Sequence, residues 1–73
     1  MSNEEVVREI ALKLAMLDPD GNLFEMDSLT VLDFVTELET RTSKAIPAVD
    51  VRRSNFESIQ SIAAMLDQLD APP

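Results

Sequence analysis

Apolar residues recur at intervals of three and four in three separate stretches of this chain, and no stretch carries a credible strand pattern. In the first stretch Val6, Ile10, Leu14 and Leu17 fall on one face of a helix, with Val7 and Ala11 widening the stripe. Ser2 followed by Glu5 fits a capping box, in which each side chain bonds the other residue's free backbone N–H. The spacing therefore predicts a helix from Ser2 to about Leu17. The turn and breaker residues Asp18-Pro19-Asp20-Gly21-Asn22 end it.

A second helix is expected from Asp27 or Ser28 to about Thr42. Val31, Phe34, Val35 and Leu38 form its apolar face, Leu29 and Leu32 extend that face, and Asp33, Glu37 and Glu39 lie largely off it. "TSKAIPAVDVRRS" then reads as a connection, with Ile46 and Val49 as core anchors around Pro47 and one short helical turn over residues 49–53. Ser54-Asn55-Phe56-Glu57 repeats the capping-box pattern. Behind it Ile59, Ile62, Leu66 and Leu69 follow at helical spacing, flanked by Ala63 and Met65.

These elements predict an all-α fold: three main helices plus one short one, packed as a small up-down bundle in a single domain over residues 1–73. Residues 70–73 are expected as a disordered tail. No apolar run approaches the roughly 20 residues that span a bilayer. The acidic start "MSNEEVVREI" lacks a signal peptide's basic and apolar regions, so a cytoplasmic protein is expected.

Composition narrows the chemistry. The 73 residues include no cysteine, so neither disulfides nor thiolate–zinc sites staple this small domain. Histidine is absent as well, which removes the commonest general base and neutral metal ligand and makes independent catalysis unexpected. Fourteen acids against six bases give a net charge of −8, which argues against nucleic acid or anionic membrane as partner. The same charge suits solubility and docking onto basic protein surfaces. "DPDGN" fails as a calcium loop: counted from Asp18, glycine is fourth rather than sixth, and Leu29 is twelfth where glutamate is needed.

Ser28 is the remaining candidate for chemistry. Either Asp27 or Ser28 can cap the second helix, and a capping box on Ser28 is unavailable because Val31 stands three residues on. With no histidine and no glycine elbow, Ser28 is not a hydrolase nucleophile, so any chemistry on it needs a separate enzyme. A helix start suits a phosphate ester, since unpaired N–H groups and the helix dipole contribute roughly 0.3–1 kcal/mol there.

Asp27-Ser28-Leu29, the helix carrying Leu32, Val35, Leu38 and Glu39, Ile46-Pro47, and "NFESIQSIAAML" at 55–66 together resemble the acyl and peptidyl carrier protein family over roughly residues 23–69. The resemblance implies an obligate, covalent 4′-phosphopantetheine taken from coenzyme A, with Ser28 as its attachment point and acyl or aminoacyl thioesters as cargo. It also implies Asp27 as an adjacent recognition residue. Leu29, Leu32, Asp33, Val35 and Glu39 would be the surface that meets a phosphopantetheinyl transferase, a loading enzyme and downstream synthases through an acidic second helix. Leu29, Asp33 and, roughly, Thr36 lie one turn apart, which places them on one strip beside Ser28.

Two departures stand out. Glu25 occupies the position, three before the serine, where the family commonly has glycine, and the stretch ahead of Ser28 is about two residues short of the common form. They point to a specialised carrier, of polyketide or nonribosomal type, rather than the carrier of primary fatty-acid synthesis. The expectation is thus a discrete, monomeric carrier without catalysis or metal. The alternatives are an aminoacyl or peptidyl carrier, as in nonribosomal or D-alanyl transfer, and a non-carrier helical interaction module.

Overall fold

Ser2 caps the first helix as its spacing to Glu5 predicts: its Oγ accepts the Glu5 N–H at 3.2 Å. The computed structural model describes residues 2–70. Three helices carry the fold: α1 (Asn3–Lys13), α2 (Ser28–Thr42) and α3 (Ile59–Asp70). No strand occurs among the described residues, apart from an isolated antiparallel bridge between Leu17 and Leu23.

α1 ends at Lys13 rather than near Leu17. Ala15 turns left-handed at φ 56°, the Met16 N–H reaches the Ala11 carbonyl at 2.8 Å, and the Ala15 N–H reaches Leu12 at 3.2 Å. That is a Schellman ending with alanine where glycine is usual. The chain then doubles back around Asp18, whose Oδ1 accepts the N–H groups of Asp20 and Asn22, both at 2.9 Å. Gly21, at φ +83°, supplies the tight turn. "DPDGN" is thus a turn held by its own carboxylate, and Leu17, expected on the helix, serves the bridge instead.

Ion pairs define helix directions. Glu9 and Lys13 of α1 meet Arg41 (3.0 Å) and Glu37 (2.8 Å) of α2, so these helices are antiparallel. Asn3, at the start of α1, donates to Asp67 (2.6 Å) and Asp70 (3.1 Å) at the end of α3. Lys44, just past α2, pairs with Asp70. α2 and α3 therefore run the same way, which corrects the expected up-down order for this pair. The connection between them must retrace α2, a length of about 22 Å for its 15 residues.

That connection contains two 3-10 turns, Ala48–Asp50 and Arg53–Phe56, in place of the one expected over 49–53. Ile46 is buried as expected, but Val49 is 78% exposed and Val51 packs against the core instead. α3 starts later than the Ser54-x-x-Glu57 pattern predicts. Ser58 and Ser61 form the reciprocal cap, each Oγ accepting the other's N–H at 3.0 Å. The chain reaches that cap only after Phe56 has been drawn into the core, at 3% exposure. Asp70 is the last residue of α3, not part of a tail; residues 71–73, expected to fray, lie outside the described residues.

The core is one cluster in which Val7, Ile10, Phe34, Leu38, Ile62 and Leu66 are fully buried. Burial of each such side chain is worth about 1.5–3 kcal/mol. Leu29 and Leu32, expected to widen the buried stripe of α2, are instead exposed.

Two substitutions test these ends. Ala15→Gly relieves the left-handed strain and should raise stability by about 0.5–1 kcal/mol, seen as a Tm a few degrees higher. Ser58→Ala should cost about 1 kcal/mol, whereas Ser54→Ala should stay within about 0.5 kcal/mol of the parent. Equal losses at the two serines would contradict the observed cap.

Candidate functional site

The start of α2 positions the candidate serine. Asp27 is the N-cap, in extended backbone, and its Oδ1 accepts the Thr30 N–H at 2.8 Å. Ser28 is the first helical residue and is exposed, so capping falls to Asp27 and the serine Oγ is left for other use. Beneath them Met26 is buried in the core at 4% exposure, which pins the chain just before the cap. Glu25, where a glycine is common, does not adopt positive φ, and its carboxylate lies 3.6 Å from Arg53. Glycine is therefore not needed at this position, because the sharp reversal is made earlier, at Ala15 and Gly21.

The Thr30 N–H, foremost, holds the Asp27 carboxyl below its ordinary value of 3.8. Asp70 is lowered too, first by its hydrogen bond from Lys44 and then by Asn3. Both groups lie at the surface, so the effect on stability is screened by solvent.

The expected partner residues separate into two groups. Leu29 is 74% exposed and Leu32 55%, and Asp33 and Thr36 are exposed beside them, so these four do form one accessible strip. Val35 does not join it: at 8% exposure it packs in the core. Glu39 is half-buried and its Oε2 accepts the Ile46 N–H at 2.8 Å, so it fastens the connection to α2 rather than offering a free charge. Glu37 is committed to Lys13 and, at 4.0 Å, to Arg41. Of the three acids on α2, only Asp33 forms no ion pair or hydrogen bond among the described residues. The acidic surface expected on α2 reduces to an apolar strip with one carboxylate.

A groove of about 230 Å³ opens directly beside Ser28. Met26, Val31, Leu32 and Val51 provide its apolar wall, while Arg52 and Arg53 bring positive charge from the connection. A second cavity, of about 260 Å³, shares Met26, Val31 and Arg53 and continues toward Phe24 and Phe56. Asp27, Ser28 and Leu32 of this lining were among the expected site residues, whereas Met26, Val31, Val51, Arg52 and Arg53 were not. The adjacent arginines in "VRRS" were the available signal, two of only six bases in the chain.

The start of α2 thus presents an exposed serine beside a capping aspartate and an adjoining groove. Residues 4–68 match the family model described as "Phosphopantetheine attachment site", and the chain belongs to that family. Its members bind 4′-phosphopantetheine covalently, and this protein is a phosphopantetheine-dependent carrier. No curated protein and no solved structure matches the chain. No helix among the described residues is long and apolar enough to cross a membrane.

Because the folded-state carboxyls of Asp27 and Asp70 are lowered, their stabilisation is present above the ordinary carboxylate value and is lost as pH falls through the lowered one. Thermal melts should therefore show a shallow loss of stability below about pH 4. Asp27→Asn keeps a capping oxygen without the charge, so its melts should match the parent near neutrality and lose less on acidification. An unchanged acid limb in that variant would remove Asp27 from the titration.

Proposed function

We propose that Ser28 Oγ is the attachment point of the phosphopantetheine arm, and that the protein carries acyl or aminoacyl intermediates as thioesters for specialised biosynthesis of polyketide or nonribosomal type. The observation carrying this reading is the division of labour at the start of α2: Asp27 caps, and Ser28, inside the matched region, stands exposed. When bound, the arm supplies a terminal thiol, which the chain itself lacks. The chain's own share is to hold Ser28 at a rigid, accessible place. With no histidine near it to act as a base, the serine depends on a separate transferase for modification.

Leu29 and Leu32, with Asp33, are the surface we assign to the transferase and to the enzymes that load and unload cargo. Both leucines sit within one turn of Ser28, and their exposed apolar area is available for burial against a partner. Val35 and Glu39 are left out because packing and the Ile46 bond use them. The reading includes a monomeric, cytoplasmic carrier without catalysis of its own, consistent with the strongly acidic surface.

Incubation with coenzyme A and a broad-specificity phosphopantetheinyl transferase tests the assignment by intact mass. The parent should gain one phosphopantetheine and Ser28→Ala none; no gain with several transferases would overturn the reading in favour of a helical interaction module. Leu32→Ala should lower kcat/KM for that modification about 5- to 10-fold while Tm moves by only a few degrees. An unchanged kcat/KM would take Leu32 out of the docking surface.

A further inference from the structure

The groove beside Ser28 is walled by apolar residues but also lined by Arg52 and Arg53, in a chain whose net charge is −8. Of the other four bases, Lys13, Arg41 and Lys44 are used in pairs that tie helices together. Arg52 and Arg53 do no such work. Arg52 has no ion pair among the described residues, and Arg53 meets only Glu25, across 3.6 Å between two highly exposed side chains.

The charges already present around Ser28 make the pair consequential. Asp27 is its chain neighbour, and Glu25 stands three residues before it. A phosphodiester on Ser28 adds a third negative charge to this small region. Left to itself the phosphate is repelled by both carboxylates, and the arm leaves the surface. Arg52 and Arg53, which line the same groove as Ser28, offset that repulsion, because guanidinium groups pair well with phosphate oxygens.

We infer that Arg52 and Arg53 receive the phosphodiester of the arm and lay its proximal part into the groove against Val31 and Val51. The inference rests on Ser28 being the attachment point. It assigns the connection between α2 and α3 a binding role that the expected partner residues, all on α2 or at its cap, did not include. The pantoyl segment next to the phosphate carries a geminal dimethyl group, which suits the apolar wall. Arg52 also borders a separate cavity over α3, near Asp50, so the two arginines are to be separated experimentally.

The test uses the holo protein. Intact mass first establishes modification: no gain, or a gain that persists in Ser28→Ala, overturns the attachment reading and this inference with it. On protein that passes, proton NOEs are measured between the arm's geminal methyls and the methyls of Val31 and Val51. The phosphorus resonance is followed in parallel as salt is raised. The parent should show those NOEs at low salt, weakening as exposed charges are screened, with a salt-dependent phosphorus shift. Arg52→Gln and Arg53→Gln should each weaken the NOEs about two- to fivefold, and Arg53→Lys should recover part of the loss. Arg8→Gln changes the net charge equally from an exposed place on α1 outside the groove, and should leave both signals unchanged. Melts of the apo variants check that folding is intact. Equal NOEs and phosphorus shifts in the parent and in the Arg52→Gln/Arg53→Gln double variant would overturn the inference, as would an equal response to Arg8→Gln.

Discussion

An edge-on contact between two buried phenylalanine rings holds together the part of this protein that matters for its chemistry. Phe34 of α2 and Phe56 of the connection meet perpendicularly with ring centroids 6.2 Å apart. Such a pair adds about 0.5–1.5 kcal/mol beyond the area it buries. Because α2 and α3 run in the same direction, the chain between them has to travel back along α2, and it does so without a long helix of its own. Glu39 fastens the beginning of that path through the Ile46 N–H, and Phe56 fastens its end. Between these points Val51, Arg52 and Arg53 come to rest beside Ser28. The groove exists because the connection is anchored at both ends.

Electrostatics are organised by the same packing. The overall charge of −8 suggests a uniformly acidic surface, yet much of the acid on α2 is already engaged. Glu37 joins α2 to α1, and Glu39 joins it to the connection. What α2 leaves exposed near the serine is mainly leucine and threonine, with Asp33. The threonines Thr36, Thr40 and Thr42 turn their hydroxyls onto carbonyls four residues back, so their polarity is largely spent within the helix. The surface close to Ser28 is therefore set by exposed apolar side chains and by Arg52 and Arg53 lining the groove more than by net charge.

Much of this was legible in the sequence, and the misses have specific causes. The three helical stripes, the Ser2 cap and the start of α2 follow from local spacing, which is why they were read correctly. The attachment family was legible through Asp27-Ser28-Leu29 together with Ile46-Pro47 and the Phe56 segment. The start of α3 was misplaced because Ser54-x-x-Glu57 and Ser58-x-x-Ser61 both offer a cap, and only the burial of Phe56 chooses between them. Spacing alone counts Leu29, Leu32 and Val35 both in the stripe and on the surface, because a stripe has edges that it leaves undefined; neighbouring elements cover Val35 and leave the two leucines exposed. The early end of α1 depends on an alanine adopting a glycine-like conformation, which no residue preference announces. The groove is non-local, formed by two sets of residues 19 to 27 positions apart, so no short motif could display it.

The central physical claim is that the Phe34–Phe56 contact anchors the connection that frames Ser28. Native-state amide hydrogen exchange on the parent and on Phe56→Leu tests it most directly. The substitution keeps an apolar side chain but removes the aromatic edge. Amides bonded within the connection, Asp50 to Pro47, Val51 to Ala48 and Asn55 to Arg52, should then exchange about 2- to 10-fold faster than any change common to the whole fold. The Leu14 amide, bonded to Ile10 at the end of α1, should show only that common change. Uniform acceleration across helices and connection, or none in the connection, would contradict the account.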